Sequence, residues 1–165
     1  MPMRSKATLL LALAALAACA SPPPAQRIHA FRLKPGSDLL AEVQRHVDEA
    51  QIEAGWVATC VGSLTDWTLR FADQSAGASG SGRFEILCLS GTVSKHGSHL
   101  HLAIADATGN TIGGHLLQGC RVYTTAEIVV AESTELEFTR ANDGSTPWKE
   151  LQIRHRARSA AASPQ

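Results

Sequence analysis

The sequence has few aromatic residues and little charge. Aromatic residues make up 5% of the 165 residues, with a single tyrosine, and charged residues make up 18%. The charge is balanced, with 15 basic against 15 acidic residues. If Arg4 and Lys6 are removed with a leader, 13 basic residues remain and the net charge becomes −2 with histidine neutral. This balance gives no support to binding of nucleic acid or of an anionic membrane surface.

Several motifs that identify enzymes are also missing. The sequence contains no phosphate-binding loop, no nucleophile elbow and no Cys-x-x-Cys pair. Cys60, Cys88 and Cys120 each lie in an apolar, strand-like segment, which predicts small buried residues. One disulfide among these three is an open alternative, because an odd number of cysteines cannot pair completely within one chain. No enzyme motif in the sequence therefore identifies a substrate.

Residues 1–18 predict an export signal. Arg4 and Lys6 precede the run Ala7–Ala18, which is alanine and leucine apart from one threonine. This run is shorter than the roughly 20 apolar residues that span a bilayer, and it is typical of a signal peptide.

The end of this run resembles a bacterial lipobox. The order Leu-Ala-Ala-Cys ends at Cys19, which implies cleavage before Cys19 and lipidation of that residue. An ordinary signal peptide, cut after a small residue such as Ala20, is the alternative. We expect an exported protein, lipid-anchored at the periplasmic face of a bacterial cell envelope. Residues 19–26, with three consecutive prolines, then form a tether.

The pattern of apolar residues predicts an α+β fold. Alternating apolar residues predict about seven strands in one mostly antiparallel sheet, and one main helix lies early in the chain, capped by Ser37 and stopped at Gly55. Gly62-Ser63 is expected to break a strand, and residues 73–82 are expected to form a mobile loop. We expect one domain over residues 27–153.

The C-terminal residues 154–165 predict a disordered tail, since they are basic and then rich in alanine, serine and proline.

A candidate metal site lies in the segment 99–115. His99 and His101 share one side of a predicted strand, and a turn at 106–110 brings a return strand back towards His115. Alternate strand residues are roughly 6.5–7 Å apart, which suits two imidazoles reaching one ion. Three histidines without a fourth protein ligand are typical of an open zinc site. The alternative is three hydrogen-bonded histidines lining a cleft.

Carboxylates could support such a site. Asp106 and Glu85 are candidates to accept the free N–H of a ligand ring. Glu85 or Glu127 is a candidate catalytic base, because zinc lowers the pKa of bound water to about 7. The histidines at positions 29, 96 and 155 are expected to be exposed.

Six short motifs occur in order along residues 27–153. They are Gly62-Ser63-Leu64, Gly82–Leu87, Leu89-Ser90-Gly91, His99–Leu102 with Asp106, Gly113–Leu116 and Ala126-Glu127-Ile128. In this order the chain resembles the PPC domain, the plant and prokaryote conserved domain. The resemblance implies a compact α+β domain that assembles as a homotrimer. It also implies zinc or another divalent metal on His99, His101 and His115.

Three functions follow from these observations. We expect first a metal-binding trimeric module, second a zinc-dependent hydrolase or lyase with an open coordination position, and third a DNA-binding protein. The plant branch of the PPC family follows an AT-hook of the Arg-Gly-Arg-Pro type, and no such arm occurs in this sequence. We therefore expect no nucleic-acid partner. Histidine ligands also accept nickel, copper or iron, so the metal itself stays open.

Overall fold

A computed structural model describes residues 25–157, which form eight strands and one helix. In chain order the elements are β1 (Gln26–Leu33), α1 (Leu39–Glu49), β2 (Gly55–Arg70), β3 (Ala78–Ser94), β4 (Gly97–Ala105), β5 (Thr111–Leu116), β6 (Arg121–Ser133), β7 (Leu136–Ala141) and β8 (Glu150–His155). The predicted α+β class, with an antiparallel sheet and one early helix, is confirmed. The predicted leader with Cys19 lies outside the described residues. The helix that residues 25–157 form is not long and apolar enough to cross a membrane.

Six strands form one antiparallel sheet in the order β1-β6-β2-β3-β4-β5. The outer strand β5 also pairs with the end of β2, through Leu69 with Leu116 and Arg70 with His115. This side of the sheet therefore closes on itself. Strands β7 and β8 form a separate two-stranded sheet, which we call the C-terminal ribbon.

Helix α1 begins one residue later than predicted. Asp38 is extended, with φ −81° and ψ 121°, and its carboxylate accepts a hydrogen bond from the Ala41 N–H at 3.0 Å. Asp38 is therefore the N-cap, in place of Ser37.

The helix also ends before Gly55. Gln51 takes a positive φ of 53°, its N–H donates to the Asp48 carbonyl, and the Ile52 N–H donates to the Val47 carbonyl. These two bonds form a Schellman motif, which satisfies the last helical carbonyls without a glycine.

The core is filled by one face of α1 and by alternate strand residues. Its largest fully buried side chains are Leu39, Val43 and Val47 of the helix, Ile52 after it, and Leu64, Leu69, Val93, Leu100, Leu102, Ile104, Leu116 and Ile128 of the sheet. Burying each large apolar side chain stabilises the fold by about 1.5–3 kcal/mol, so this cluster is the main source of stability.

Strand β2 continues through Gly62-Ser63, so the predicted break is wrong. Gly62 has φ +143°, and a β-carbon there would lie 2.1 Å from the Thr125 carbonyl oxygen. A bulge between Gly62 and Leu64 shifts the register against β6 and lets the strand pass. The glycine therefore permits a close approach between strands.

Three predicted boundaries also move. The expected loop over residues 73–82 ends earlier, because β3 begins at Ala78, opposite Leu69. Gln26, assigned to the tether, is the first residue of β1 and pairs with Ser133. Arg154 and His155, assigned to the C-terminal tail, pair within the C-terminal ribbon. Residues 158–165 lie outside the described residues.

Cysteines 60, 88 and 120 are free, so no disulfide joins them. Cys60 and Cys120 are buried as expected, and burial raises their pKa values to about 12 and about 11. Cys88 is exposed, which corrects the prediction. A bulge between Ile86 and Cys88 changes the alternation, so that Leu89 takes the inward position instead.

Candidate metal centre

The hairpin of β4 and β5 is built by the alternation of its residues. Leu100, Leu102 and Ile104 are at most 2% exposed and pack in the core. Because successive strand residues point to opposite sides, His99 and His101 project from the outer face of β4.

The turn between the two strands is held by Asp106. Its Oδ1 accepts hydrogen bonds from the Thr108 N–H at 2.8 Å, the Thr108 hydroxyl at 2.7 Å and the Asn110 N–H at 3.0 Å. These bonds, those from Thr108 first, lower the pKa of Asp106 to about 2. The Asp106 carboxylate therefore fixes the turn rather than supporting a histidine ring.

Cross-strand pairing places four polar residues in one row. The row contains Arg70 of β2, His115 of β5, His101 of β4 and Ser90 of β3. A second row pairs His99 of β4 with Thr92 of β3. Directly opposed residues of an antiparallel pair project to the same side with β-carbons about 4.5–5.5 Å apart. The register alone therefore gathers these side chains on one surface.

The three histidine rings converge on this surface. Their ring centroids are separated by 5.2 Å for His99 and His101, 4.9 Å for His99 and His115, and 5.7 Å for His101 and His115. The Nε2 atoms of His99 and His101 are 3.3 Å apart. One ring nitrogen from each residue lies within 4.8 Å of the others. The hairpin thus brings together the three rings that the sequence predicted to meet.

The environment favours the neutral form of His99 and His115. Burial first, and then the charges of His99 and Arg70, lower the pKa of His115 to about 4. Burial, then Arg140 and His101, lower the pKa of His99. Nitrogen ligands must be deprotonated to bind a metal. The Nδ1 atom of His115 is also buried without a hydrogen-bond partner. The donor set therefore fits a divalent transition metal.

Two arginines, which sequence patterns did not single out, flank the histidines. Arg140 of the C-terminal ribbon donates from Nη2 to the Thr92 hydroxyl at 2.8 Å, and its Nε is buried without a partner. Arg70, opposite His115, lies 5.1 Å from the ring centroid of Trp148. Neither arginine stands in a motif, so only the fold reveals their position.

The two candidate catalytic carboxylates lie elsewhere. Glu85 is exposed and pairs across the sheet with Ser63 and Ala105. Ala105 is four residues beyond His101, about 13 Å along the strand. Glu127 is exposed on β6, where it pairs with Arg32 of β1. The carboxylate whose charge acts on His99 is instead Glu150 of β8.

A second group of polar side chains joins the C-terminal ribbon to the main sheet. Lys95 Nζ lies 2.7 Å from Glu53 Oε1, and His96 Nε2 lies 3.9 Å from Glu53 Oε2 and 3.8 Å from Glu137 Oε1. His96 is exposed, as expected, but it lies between two carboxylates. His29 is only partly exposed, because its Nε2 lies 3.0 Å from the buried Glu132 carboxylate.

The sequence matches the family model described as the Plants and Prokaryotes Conserved (PCC) domain over residues 20–134. It is 48% identical over 144 residues to the bifunctional protein GlmU of Synechococcus sp. (strain JA-3-3Ab), a match that covers 87% of this chain and 23% of that protein. The chain thus spans less than a quarter of this curated relative.

Solved structures share the fold. A hypothetical protein from Salmonella enterica has a TM-score of 0.79 and 40% identity, covering 82% of this chain and 99% of that chain. A protein from Archaeoglobus fulgidus, described as metal-containing, has a TM-score of 0.68 and 25% identity, covering 76% of this chain and 93% of that chain.

Proposed function

Because this chain belongs to the Plants and Prokaryotes Conserved domain family, we propose that it is a metal-binding module. His99, His101 and His115 hold one divalent transition metal ion. The observation that carries this proposal is the convergence of three ring nitrogens within 4.8 Å of one another. The description of the Archaeoglobus fulgidus relative as metal-containing supports it.

Zinc is the metal that we propose first. Three histidines with one open position form an established zinc coordination set, in which the Zn–N distance is about 2.0–2.1 Å. Nickel, copper and iron accept the same ligands, so the purified protein must identify the metal.

Elemental analysis of the full-length protein tests this assignment. We expect about one metal ion per chain in the wild type and almost none in a His99→Ala, His101→Ala double variant. His155→Ala is the matched control, because His155 is exposed at the end of β8. Circular dichroism checks that each variant is folded. Equal metal content in the double variant and the wild type would overturn the assignment.

We also propose that the protein is a homotrimer. Apolar side chains on the outer face of the sheet support association, since Val61 and Leu87 are 55% and 56% exposed. They occupy neighbouring strands, next to the paired residues Gly62 and Ile86. Light scattering should give three times the chain mass, and Leu87→Glu should lower it. Ile153→Glu, at an exposed ribbon position, is the control. A monomeric wild type would contradict the trimer.

The proposed location is the bacterial cell envelope, with a lipid anchor on Cys19. In a bacterial host the wild type should fractionate with membranes and gain the mass of acyl chains. Cys19→Ser should remain unlipidated. Equal fractionation of both proteins, without added mass, would contradict the anchor.

A metal-dependent hydrolase or lyase is the second candidate function. Zinc with an open position supplies a Lewis acid and lowers the pKa of bound water to about 7. The negative charge of Glu150, which acts on His99, is the observation that keeps this candidate, because a hydrolase needs a base. Ester, phosphate and lactone substrates are the assay panel. Turnover that is lost in Glu150→Gln, with metal content unchanged, would favour the enzyme over the binding module.

A further inference from the structure

We propose that the surface beside the three histidines binds a small oxyanion, a carboxylate or a phosphate, which Arg140 and Arg70 select. This inference rests on the proposed metal site, because the oxyanion takes the position that the histidines leave open. It adds a ligand class and two residues that determine specificity.

Arg140 is held beside the histidine cluster by its contact with β3. Its Nη2 donates to the Thr92 hydroxyl, and Thr92 is the cross-strand partner of His99. This bond fixes the guanidinium at the edge of the histidine cluster. The Nε–H is buried and has no partner. A buried donor left unpaired costs about 1–3 kcal/mol, whereas an oxyanion would satisfy it.

Arg70 holds the other side of the cluster. It stands opposite His115, which in turn stands opposite His101, so arginine and histidines project from one surface. Its guanidinium carbon lies 5.1 Å from the ring centroid of Trp148, in the connection between β7 and β8. A cation placed over an aromatic ring loses some of its freedom to move. The histidine cluster is therefore flanked by two oriented arginines.

The charge of this surface favours an anion. Arg70 and Arg140 both act on His115, and Glu150 acts on His99 and on Arg140. Two arginines against one glutamate leave one positive charge, and a divalent ion raises the excess to three. Partly desolvated positive charge of this kind attracts oxyanions more strongly than it would in bulk water.

The available space fits a small ligand. A depression of about 250 Å³ lies on the β3 side of the histidines, lined by Ser90, Gly91, Thr92, His99 and His101, and Arg140 adjoins it through its bond to Thr92. The hydroxyl groups of Ser90 and Thr92 add hydrogen-bonding capacity at its wall. The volume is below the 300–1,000 Å³ that is usual for drug-sized ligands. We therefore assign a carboxylate or phosphate group rather than a large apolar molecule.

The C-terminal ribbon supplies Arg140, and its connecting loop supplies Trp148, whereas Arg70 belongs to β2. Arg140 and Trp148 both lie beyond residues 20–134, which match the family.

Calorimetric titration with inorganic phosphate and with acetate tests the proposal. The full-length protein is titrated metal-free and after loading with cobalt, whose visible spectrum reports a change in coordination. Metal content is measured separately for every sample. The variants are Arg140→Gln and Arg70→Gln, and Arg27→Gln is the matched control, because Arg27 is exposed on β1 at the other edge of the sheet.

We expect the cobalt-loaded wild type to bind at least one of the two anions and to change its spectrum. Arg140→Gln should weaken binding by about ten- to a hundredfold with metal content unchanged, and Arg27→Gln should bind like the wild type. Preference for acetate or for phosphate distinguishes the two oxyanion classes. Equal affinity in Arg140→Gln and the wild type, or no anion binding in either form, overturns the inference. Arginine-dependent anion binding without cobalt uptake supports the oxyanion site and overturns the metal proposal.

Discussion

Gly91 of β3 lies directly against the main chain of His99 on β4. A β-carbon at Gly91 would be 2.0 Å from the His99 carbonyl oxygen, and Gly91 has a φ of +137°. A side chain at this position would push apart the two strands that hold the histidine cluster. The approach of β3 to β4 therefore depends on glycine beside the proposed metal ligand.

Gly91→Ala should destabilise the protein and weaken its metal binding. Positive φ alone costs about 1–2 kcal/mol, and the clash with the His99 carbonyl adds roughly 1–3 kcal/mol. Gly97→Ala is the matched control, because Gly97 has φ +120° but nothing within 4 Å of its β-carbon position. Urea unfolding gives both free energies. Equal decreases in the free energy of unfolding of the two variants would show that the clash between β3 and β4 adds no cost.

Removal of the Asp106 charge should make the free energy of unfolding less dependent on pH in acid. The folded pKa of Asp106 is about 2, below its ordinary value of 3.8, so the unfolded chain binds the proton more readily. The contribution of Asp106 to the free energy of unfolding is therefore complete above pH 4 and is lost as the pH falls towards 2.

We expect Asp106→Asn to unfold at a lower urea concentration than the wild type at pH 5. The difference between the two proteins should narrow at pH 2.5. Other acidic groups titrate in both proteins and cancel in this comparison. A difference that is constant between these pH values would contradict the role of the Asp106 charge in the turn.

The rate of thiol labelling should distinguish the buried Cys60 and Cys120 from the exposed Cys88. Cys60 and Cys120 are buried and have raised pKa values, so few thiolates are available to react. Under native conditions a maleimide should leave both unmodified, and in urea it should modify both. Peptide mass mapping identifies each site. Rapid native labelling of Cys60 would show that the sheet opens locally.

The labelling rate of Cys88 reports on a different question. Cys88 is exposed in the single chain, next to the outer apolar residue Leu87. If trimer formation covers this part of β3, dilution or Leu87→Glu should accelerate its modification. A rate that depends on neither would place Cys88 outside the subunit interface.

Metal removal should lower the thermal stability of the wild type. A ligand that binds only the folded state at one hundred times its Kd stabilises that state by about 2.7 kcal/mol. A chelator should therefore decrease the Tm of the zinc-loaded protein and leave the His99→Ala, His101→Ala variant unchanged. Calorimetry measures both. An equal decrease in both proteins would locate the stabilising ion elsewhere.

Local patterns predicted the histidine cluster well. Alternation between Leu100, Leu102 and the two histidines assigns one face of β4, and the turn after it returns the chain by a short connection. A short hairpin fixes its own register, so His115 falls opposite His101 without help from the remaining sheet. Two of the six motifs that carry the family resemblance, His99–Leu102 and Gly113–Leu116, lie in this hairpin.

Bulges and long-range pairs were not predictable in this way. Gly62 reads as a strand breaker until Thr125 is known to lie against it, and Cys88 reads as buried until the register shift is seen. Both features depend on the neighbouring strand. A pattern with period two contains no information about that partner.

The amino-acid sequence by itself determined the α+β class, the early helix and the hairpin with its three histidines, because helix and strand periodicity and turn chemistry act over a few residues. Only the tertiary structure decided which charges surround that hairpin. Arg70 lies beside the hairpin because β2 closes on β5. Arg140 lies beside the hairpin because the C-terminal ribbon contacts β3 of the main sheet. Contacts between residues far apart in the chain form through packing of the whole domain, so their chemistry appears only once the sheet has closed.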